Sequence, residues 1–392
     1  MGEVMQEKKI KICALTTISK TMDWFIVDSM RNLSKNGYDI TLISNMEEEF
    51  INKNSDFAKC INLPMTRGVS IKNLIKTIRS LKKIFKREKF DIIYYTTPNA
   101  SMYAAIAGKS TGIKLRIYNQ CGLRYVSFKG VKRRIFKWIE KLTCKKSTHV
   151  RSQSPMNMEY AINEGLCSKE KISVVGIGGT IGVDLKECDS FDHVDAKSSL
   201  REKYCIPQDA FVYGYVGRIN KDKGINELIQ AFHQVAEKKE KTYLVMVGMK
   251  DDANPITPQN MKIAEEHERI IMTGNVPKEE VYSHMAVFDV LVHPTYREGF
   301  GKVLQEAMGM NLPIITTNVP GPSEVVNQGE CGLLVEVQNV EDLTQKMIEI
   351  YEDDALRVGL SQKGRERAEK YFDRPIMLNN ILEDMNRIAG ES

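Results

Sequence analysis

The 392-residue sequence contains no run of eighteen apolar residues, so no segment is long enough to cross a bilayer as a helix. Its opening, MGEVMQEKKIKICALTT, has no signal-peptide pattern, because the apolar stretch is short and reads as a strand. Gln6 stands where a myristoylation signal needs Ser or Thr. The eight cysteines (Cys13, Cys60, Cys121, Cys144, Cys167, Cys188, Cys205 and Cys331) form no C-x-x-C pair, and no Cys/His cluster has zinc spacing. These features predict a cytosolic protein whose thiols are reduced and serve as small hydrophobes.

Charge is unevenly spread. Residues 1–180 hold 32 basic against 15 acidic side chains, and residues 181–392 hold 24 against 36. Such a split points to two domains with different partners, the basic one facing an anionic surface. No helix-turn-helix, zinc-finger or RNP-type motif accompanies the charge, so nucleic acid is not the expected partner.

Short β-branched and aromatic runs alternate with helix-like segments throughout, the pattern of parallel α/β sheets. Strands read at KIKICALTT, YDITLIS, FDIIYYTT, KLRIYNQ, THVRSQS and KISVVGIG in the first half. In the second half they read at FVYGYVG, TYLVMVG, RIIMTGNV, VFDVLVHP, PIITTN and CGLLVEV. The expected organisation is an N-terminal Rossmann-like domain over residues 1–185, a second over 186–372, and a terminal segment, 373–392. In that segment Ile376, Leu378, Ile381 and Met385 fall near helical spacing and predict a helix packed on the body. Two such domains leave a cleft at their strand ends, the usual ligand position in open α/β sheets.

Two stretches carry the chemistry. In 293–335 a strand ends at Pro294, a loop carries Glu298-Gly299-Phe300-Gly301, and a helix-like run follows. Strand, glycine loop and helix make an anion cradle of N–H groups. Glu306 lies eight residues after Glu298, which predicts a position about two turns into the helix. Two acidic groups flanking an anion cradle suit a ligand with phosphates in the middle and hydroxyls at both ends, as in a nucleotide sugar. In 216–232 a strand ends at Gly217, followed by Arg218, Lys223 and Gly224 and then an amphipathic helix. Cations at a helix N-terminus oppose its dipole unless they meet an anion such as a diphosphate.

With these motifs in order, the chain resembles family-4 retaining glycosyltransferases of GT-B fold: two Rossmann-like domains facing across a central cleft. Glu298–Glu306 match their E-x7-E pattern, and Gly217-Arg218 with Lys223-Gly224 match GR…KG. LVMVG, GPSEVV and CGLLV match in order as well, covering most of 205–345. The N-terminal half is similar to bacterial capsule and exopolysaccharide glycosyltransferases through TTISKTMDWFIVDSMRNLSKNGYDITLIS and NQCGLRYVSFKGVKRRIFKWIEK.

The resemblance implies a donor site in which Arg218 and Lys223 bind the diphosphate, Glu298 holds sugar hydroxyls and Glu306 holds the ribose. Backbone N–H groups of Phe300, Gly301, Lys302 and Val303 would meet sugar and phosphates, and Gly274–Val276 would pass near the base. The implied donor is a UDP-sugar and the acceptor a lipid-linked saccharide at the inner face of a bacterial membrane. Two other readings are a non-catalytic partner subunit and a sugar-nucleotide epimerase. Many relatives carry a histidine in the N-terminal domain where this chain reads Asn119-Gln120-Cys121-Gly122; His149 is its only histidine before residue 180. The Asp-x-Asp motif of metal-dependent glycosyltransferases is absent, so no metal and no cofactor beyond the nucleotide sugar is expected.

Glu324 fits a helix cap or a ligand contact equally well, and His293 fits a packed side chain better than a ligand. Two basic segments are amphipathic. IKNLIKTIRSLKKIFKR sets Ile71, Leu74, Ile75, Ile78 and Phe85 against Lys72, Lys76, Arg79, Lys82, Lys83 and Lys86, and reads as a surface helix. VKRRIFKWIEKL sets Val131, Ile135, Trp138, Ile139 and Leu142 against Lys132, Arg133, Arg134, Lys137 and Lys141. It fits either a packed surface helix or an interfacial helix on an anionic membrane.

Overall fold

The structure, a computed structural model, describes residues 9–65 and 71–390. The hexapeptide MGEVMQ lies outside them, as do the side chains of Ile71 and Lys72. The chain forms two compact units, one of residues 1–181 and 375–392, the other of 182–374.

The first unit is built on seven parallel strands: β1 (Lys11–Ile18), β2 (Asp39–Asn45), β3 (Ala58–Asn62), β4 (Ile92–Tyr95), β5 (Leu115–Gln120), β6 (His149–Ser152) and β7 (Ile172–Val174). Their order is β3-β2-β1-β4-β5-β6-β7. Side-chain alternation along β1 feeds two cores. Cys13 and Leu15 join Phe85, Tyr95 and Tyr118 on one face, while Ile12 and Ala14 join Met22, Met30 and Leu42 on the other. β3 was not foreseen. Its sequence, AKCIN, has one fully buried residue, as expected of an edge strand with little apolar signal.

The second unit holds six parallel strands: β8 (Phe211–Val216), β9 (Thr242–Val247), β10 (Ile270–Gly274), β11 (Val290–His293), β12 (Ile314–Thr317) and β13 (Leu333–Val335). Their order is β10-β9-β8-β11-β12-β13. In both sheets the order reverses beside the first strand of the unit, which opens a ligand crevice at the carboxyl strand ends. Helix Ile225–Lys238 seals the second core with Ile225, Leu228, Ile229 and Phe232, all wholly buried.

The terminal helix Arg374–Gly390 packs on the first unit, where Met385 and Ile388 enter the second of its cores. Asp384 forms a paired bond to Arg151 at 2.6 and 2.8 Å, and Tyr38 donates to Asn386 at 2.6 Å. Of the expected face Met385 is buried, Leu378 and Ile381 are half-buried and Ile376 is exposed; Met377 and Ile388 complete the buried side. The methionines fill the gap because an unbranched side chain adapts to an irregular surface.

Helix Ile71–Glu88 buries Ile78, Leu81 and Phe85 and exposes Lys76, Arg79, Lys83 and Lys86, so it is a packed surface helix. Helix Gly130–Lys146 behaves differently. It packs through Phe136 and Ile139 and buries Glu140, Thr143 and Cys144, leaving Val131, Ile135 and Trp138 exposed (70%, 49% and 62%).

Candidate functional site

The second unit gathers the residues expected at a donor site at the carboxyl ends of β8, β10 and β11. Gly217 follows β8 and donates its N–H to the Val247 carbonyl at 2.9 Å. Gly248, after β9, donates to the Gly274 carbonyl at 3.0 Å, which draws the end of β10 alongside. Val276 lies half-buried in the turn beyond it.

The loops after β8 and β11 are locked together. Arg297 bonds Asp222 at 2.8 Å, and the Tyr296 N–H reaches the Asp222 carbonyl at 2.9 Å. The Tyr296 hydroxyl donates to Glu227 at 2.7 Å. Gly224 lies at the closest approach: at φ +69°, a Cβ there would come within 1.9 Å of the Pro294 carbonyl oxygen. No other residue type fits that position without moving the loop.

This lock sets Lys223 against Glu298, and the two side chains form an ion pair. Burial disfavours the Glu298 carboxylate, but Lys223 and His293 beside it together outweigh burial and hold the group well below its ordinary pKa. Arg218 pairs instead with Asp251 at 2.5 Å, and Asn220 donates to the same carboxylate at 3.0 Å. Burial works against ionisation of Asp251 as well, and Asn220 and Arg218 reverse it, lowering its pKa.

Phe300 is buried against Phe372, which anchors the loop. Gly301, at φ +101°, caps the helix Lys302–Gly309 and supplies no side-chain acceptor to its first turn. Lys302 and Val303 therefore open a helix with no side-chain cap, which fits an anion cradle. Glu306 is the fifth residue of this helix, just over one turn in, because Glu298 to Gly301 is loop and not helix as the eight-residue spacing suggested. It is nearly buried and ion-paired with Lys302 one turn earlier. The i,i+4 spacing of these two is visible in KVLQE, but Lys302 was expected to act through its backbone N–H and not through this ion pair. Asp251 and Asp222 were missed as counter-ions, since their partners are remote in sequence.

Glu324 is a cap: its carboxylate accepts the Gly321 N–H at 2.9 Å at the start of Pro322–Val325. His293 ends β11, wholly buried, with its ring stacked on Tyr215. In the first unit Asn119 accepts from Gln153 at 2.6 Å, and Gln120 donates to the buried Glu140 at 2.7 Å. On the basic helix, Lys132 lies 4.1 Å from the Phe128 ring centre. Arg133 and Lys137 pair with Glu164 at 3.7 and 2.7 Å, and Arg134 is exposed.

Comparison with known proteins agrees with this architecture. Residues 196–367 match the family described as glycosyl transferases group 1, and residues 11–154 match glycosyl transferase 4-like. The capsular polysaccharide biosynthesis glycosyltransferase CapM of Staphylococcus aureus is 31% identical over 98% of this chain and 99% of its own length. An Escherichia coli UDP-Gal:alpha-D-GlcNAc-diphosphoundecaprenol alpha-1,3-galactosyltransferase is 24% identical over 82% of each chain. Sucrose-phosphate synthase from Thermosynechococcus elongatus superposes with a TM-score of 0.80 at 19% identity, over 98% of this chain and 100% of that one, which shows the GT-B fold. The chain belongs to the group 1 glycosyl transferases and is a glycosyltransferase of GT-B fold.

Proposed function

We propose that the chain moves a sugar from a UDP-sugar to a lipid-linked saccharide, with retention at the anomeric carbon, during assembly of bacterial capsular or exopolysaccharide. The observation that carries this is the pairing of both glutamates with lysines around the Gly301 helix start, Glu298 with Lys223 and Glu306 with Lys302. Each carboxylate suited to hydroxyls thus stands beside a cation suited to phosphates. The names of the S. aureus and E. coli relatives support the pathway, the UDP donor and the lipid-diphosphate acceptor.

In this reading Arg218 and Lys223 take the diphosphate, Glu306 the ribose and Glu298 the sugar hydroxyls. The N–H groups of Phe300, Gly301, Lys302 and Val303 face sugar and phosphate, and Gly274–Val276 passes the base. The bond from the anomeric carbon to the phosphate oxygen breaks while a bond to the acceptor hydroxyl forms on the same face. The departing phosphate oxygen takes the hydroxyl proton. Arg218, Lys223 and the helix start stabilise the leaving charge as preorganised positive ends, which makes a divalent metal redundant. Trp138, Val131 and Ile135 with Lys132, Arg133 and Arg134 would rest on the anionic inner leaflet as a peripheral contact.

Measuring UDP release from UDP-sugars with and without a lipid-linked saccharide tests the reading. Acceptor-dependent release is expected. Isomerisation of the donor sugar without release indicates an epimerase, and nucleotide binding without turnover indicates a silent partner subunit.

A further inference from the structure

We infer that His293 is a positioning residue for Glu298, presenting a neutral Nε2–H to the carboxylate and holding it for the donor sugar. This rests on the reading of Glu298 as the sugar-binding group.

The imidazole is 1% exposed, and neither ring nitrogen has a hydrogen-bond partner among the described residues. Unsatisfied buried nitrogens are costly, on the order of 1–3 kcal/mol each, and a phenylalanine would fill the same slot without that cost. The ring is nevertheless oriented. It lies parallel to Tyr215, with centroids 5.6 Å apart and planes 9° from each other. Tyr215 is itself fixed by its hydroxyl, which donates to the Arg218 carbonyl at 2.8 Å. This stack directs Nε2 toward Oε2 of Glu298, 3.7 Å away.

Lys223 bonds the same oxygen. A diphosphate that draws Lys223 toward itself removes the nearest cation from Glu298. Closure by roughly 1 Å then gives an ordinary N–H···O bond from His293. Burial keeps the ring neutral: it pushes the imidazole pKa down, Lys223 adds to this, and Glu298 opposes it. A neutral ring has one N–H, and a carboxylate facing Nε2 favours the proton there over a lone pair.

Two measurements test this. In protein labelled with 15N-histidine, the His293 shifts, assigned with His293→Phe, should report the neutral Nε2–H tautomer without nucleotide. A Nδ1–H tautomer or a charged ring at neutral pH overturns the proposal. In kinetics, His293→Phe keeps the ring and its stacking, whereas His293→Gln keeps an N–H near the Nε2 position. UDP affinity should stay within about twofold in both. Turnover of the UDP-sugar substrate should fall about tenfold in His293→Phe, the equivalent of one lost bond to a charged group, and recover within about threefold in His293→Gln. The reverse order means a packing role and overturns the proposal. Failure of the wild-type protein to bind UDP would overturn the donor-site reading instead. The tautomer measurement separates these failures because it needs no nucleotide.

Discussion

Lys223 and Glu298, 75 residues apart in sequence, are ion partners at the point where the loops after β8 and β11 lock together. The cation expected to meet a diphosphate therefore already has a carboxylate, and so does Lys302 one loop away. In the proposed donor site, binding would exchange partners: the phosphates would draw the lysines and free the carboxylates for hydroxyls.

The first consequence separates binding from stability. Arg218→Ala and Lys223→Ala should each weaken UDP binding by about 1.5–3 kcal/mol, the range for a lost charge-assisted contact. Only Lys223→Ala should also lower the melting temperature, since it strands Glu298. The Arg218–Asp251 pair is solvent-facing on the arginine side, where such pairs contribute little. Calorimetry and thermal melts read both effects, and unchanged UDP affinity in both variants removes the diphosphate assignment.

The two glutamates should divide their labour. Glu306→Gln should impair UDP binding through the ribose. Glu298→Gln should leave UDP binding nearly intact and reduce turnover, because its ligand is the sugar. Equal loss of UDP affinity in the two variants contradicts this division.

Acid should expose the Glu298 pair. Its folded pKa is depressed below its unfolded value, near 4.3 for a glutamate. Its stabilisation is therefore complete above that value and is lost as pH falls toward the folded pKa. The melting-temperature gap between wild type and Glu298→Gln should be level above about pH 5.5 and narrow below about pH 4. A gap that widens on acidification would show that the carboxyl is not held ionised.

Vesicle flotation tests the helix Gly130–Lys146. Binding to anionic vesicles should exceed binding to neutral ones and weaken with salt, each basic residue near the surface contributing about 1 kcal/mol. Because Arg133 and Lys137 are engaged by Glu164, replacing Lys132, Arg134 and Trp138 should reduce flotation more than replacing that pair. Equal binding to both vesicle types would assign the helix a purely structural role.

Turnover should survive EDTA, with the product keeping the donor's anomeric configuration by NMR. Abolition by EDTA with rescue by magnesium or manganese would refute the metal-free reading. An inverted product would refute retention.

The twelve strands read in the sequence are all present, and most are short β-branched or aromatic runs closed by Gly, Pro, Asn or Ser, a signal that survives without tertiary context. AKCIN failed to register because Lys59 and Asn62 leave it no continuous apolar run. The order of Gly217, Arg218, Lys223, Glu298 and Glu306 was equally legible, since each follows a strand end. Their counter-ions were not. Asp251 meets Arg218, and Asp222 meets Arg297, only after parallel strands have brought distant loops together. The sequence left two readings open for the helix Gly130–Lys146. Hydrophobic periodicity located its apolar stripe but could not say whether a core covers it, and Trp138 turned out to be exposed.

The first unit is written in two pieces of chain, with all of residues 182–374 between them. Arg151 waits for Asp384, 233 residues later, and Met385 and Ile388 complete a core begun by β1. During synthesis the second unit can close as soon as its own segment has emerged. The first keeps apolar surface uncovered until the helix Arg374–Gly390 has emerged. The helix Arg374–Gly390 therefore decides when the first unit closes, although the second unit lies between it and the strands it covers.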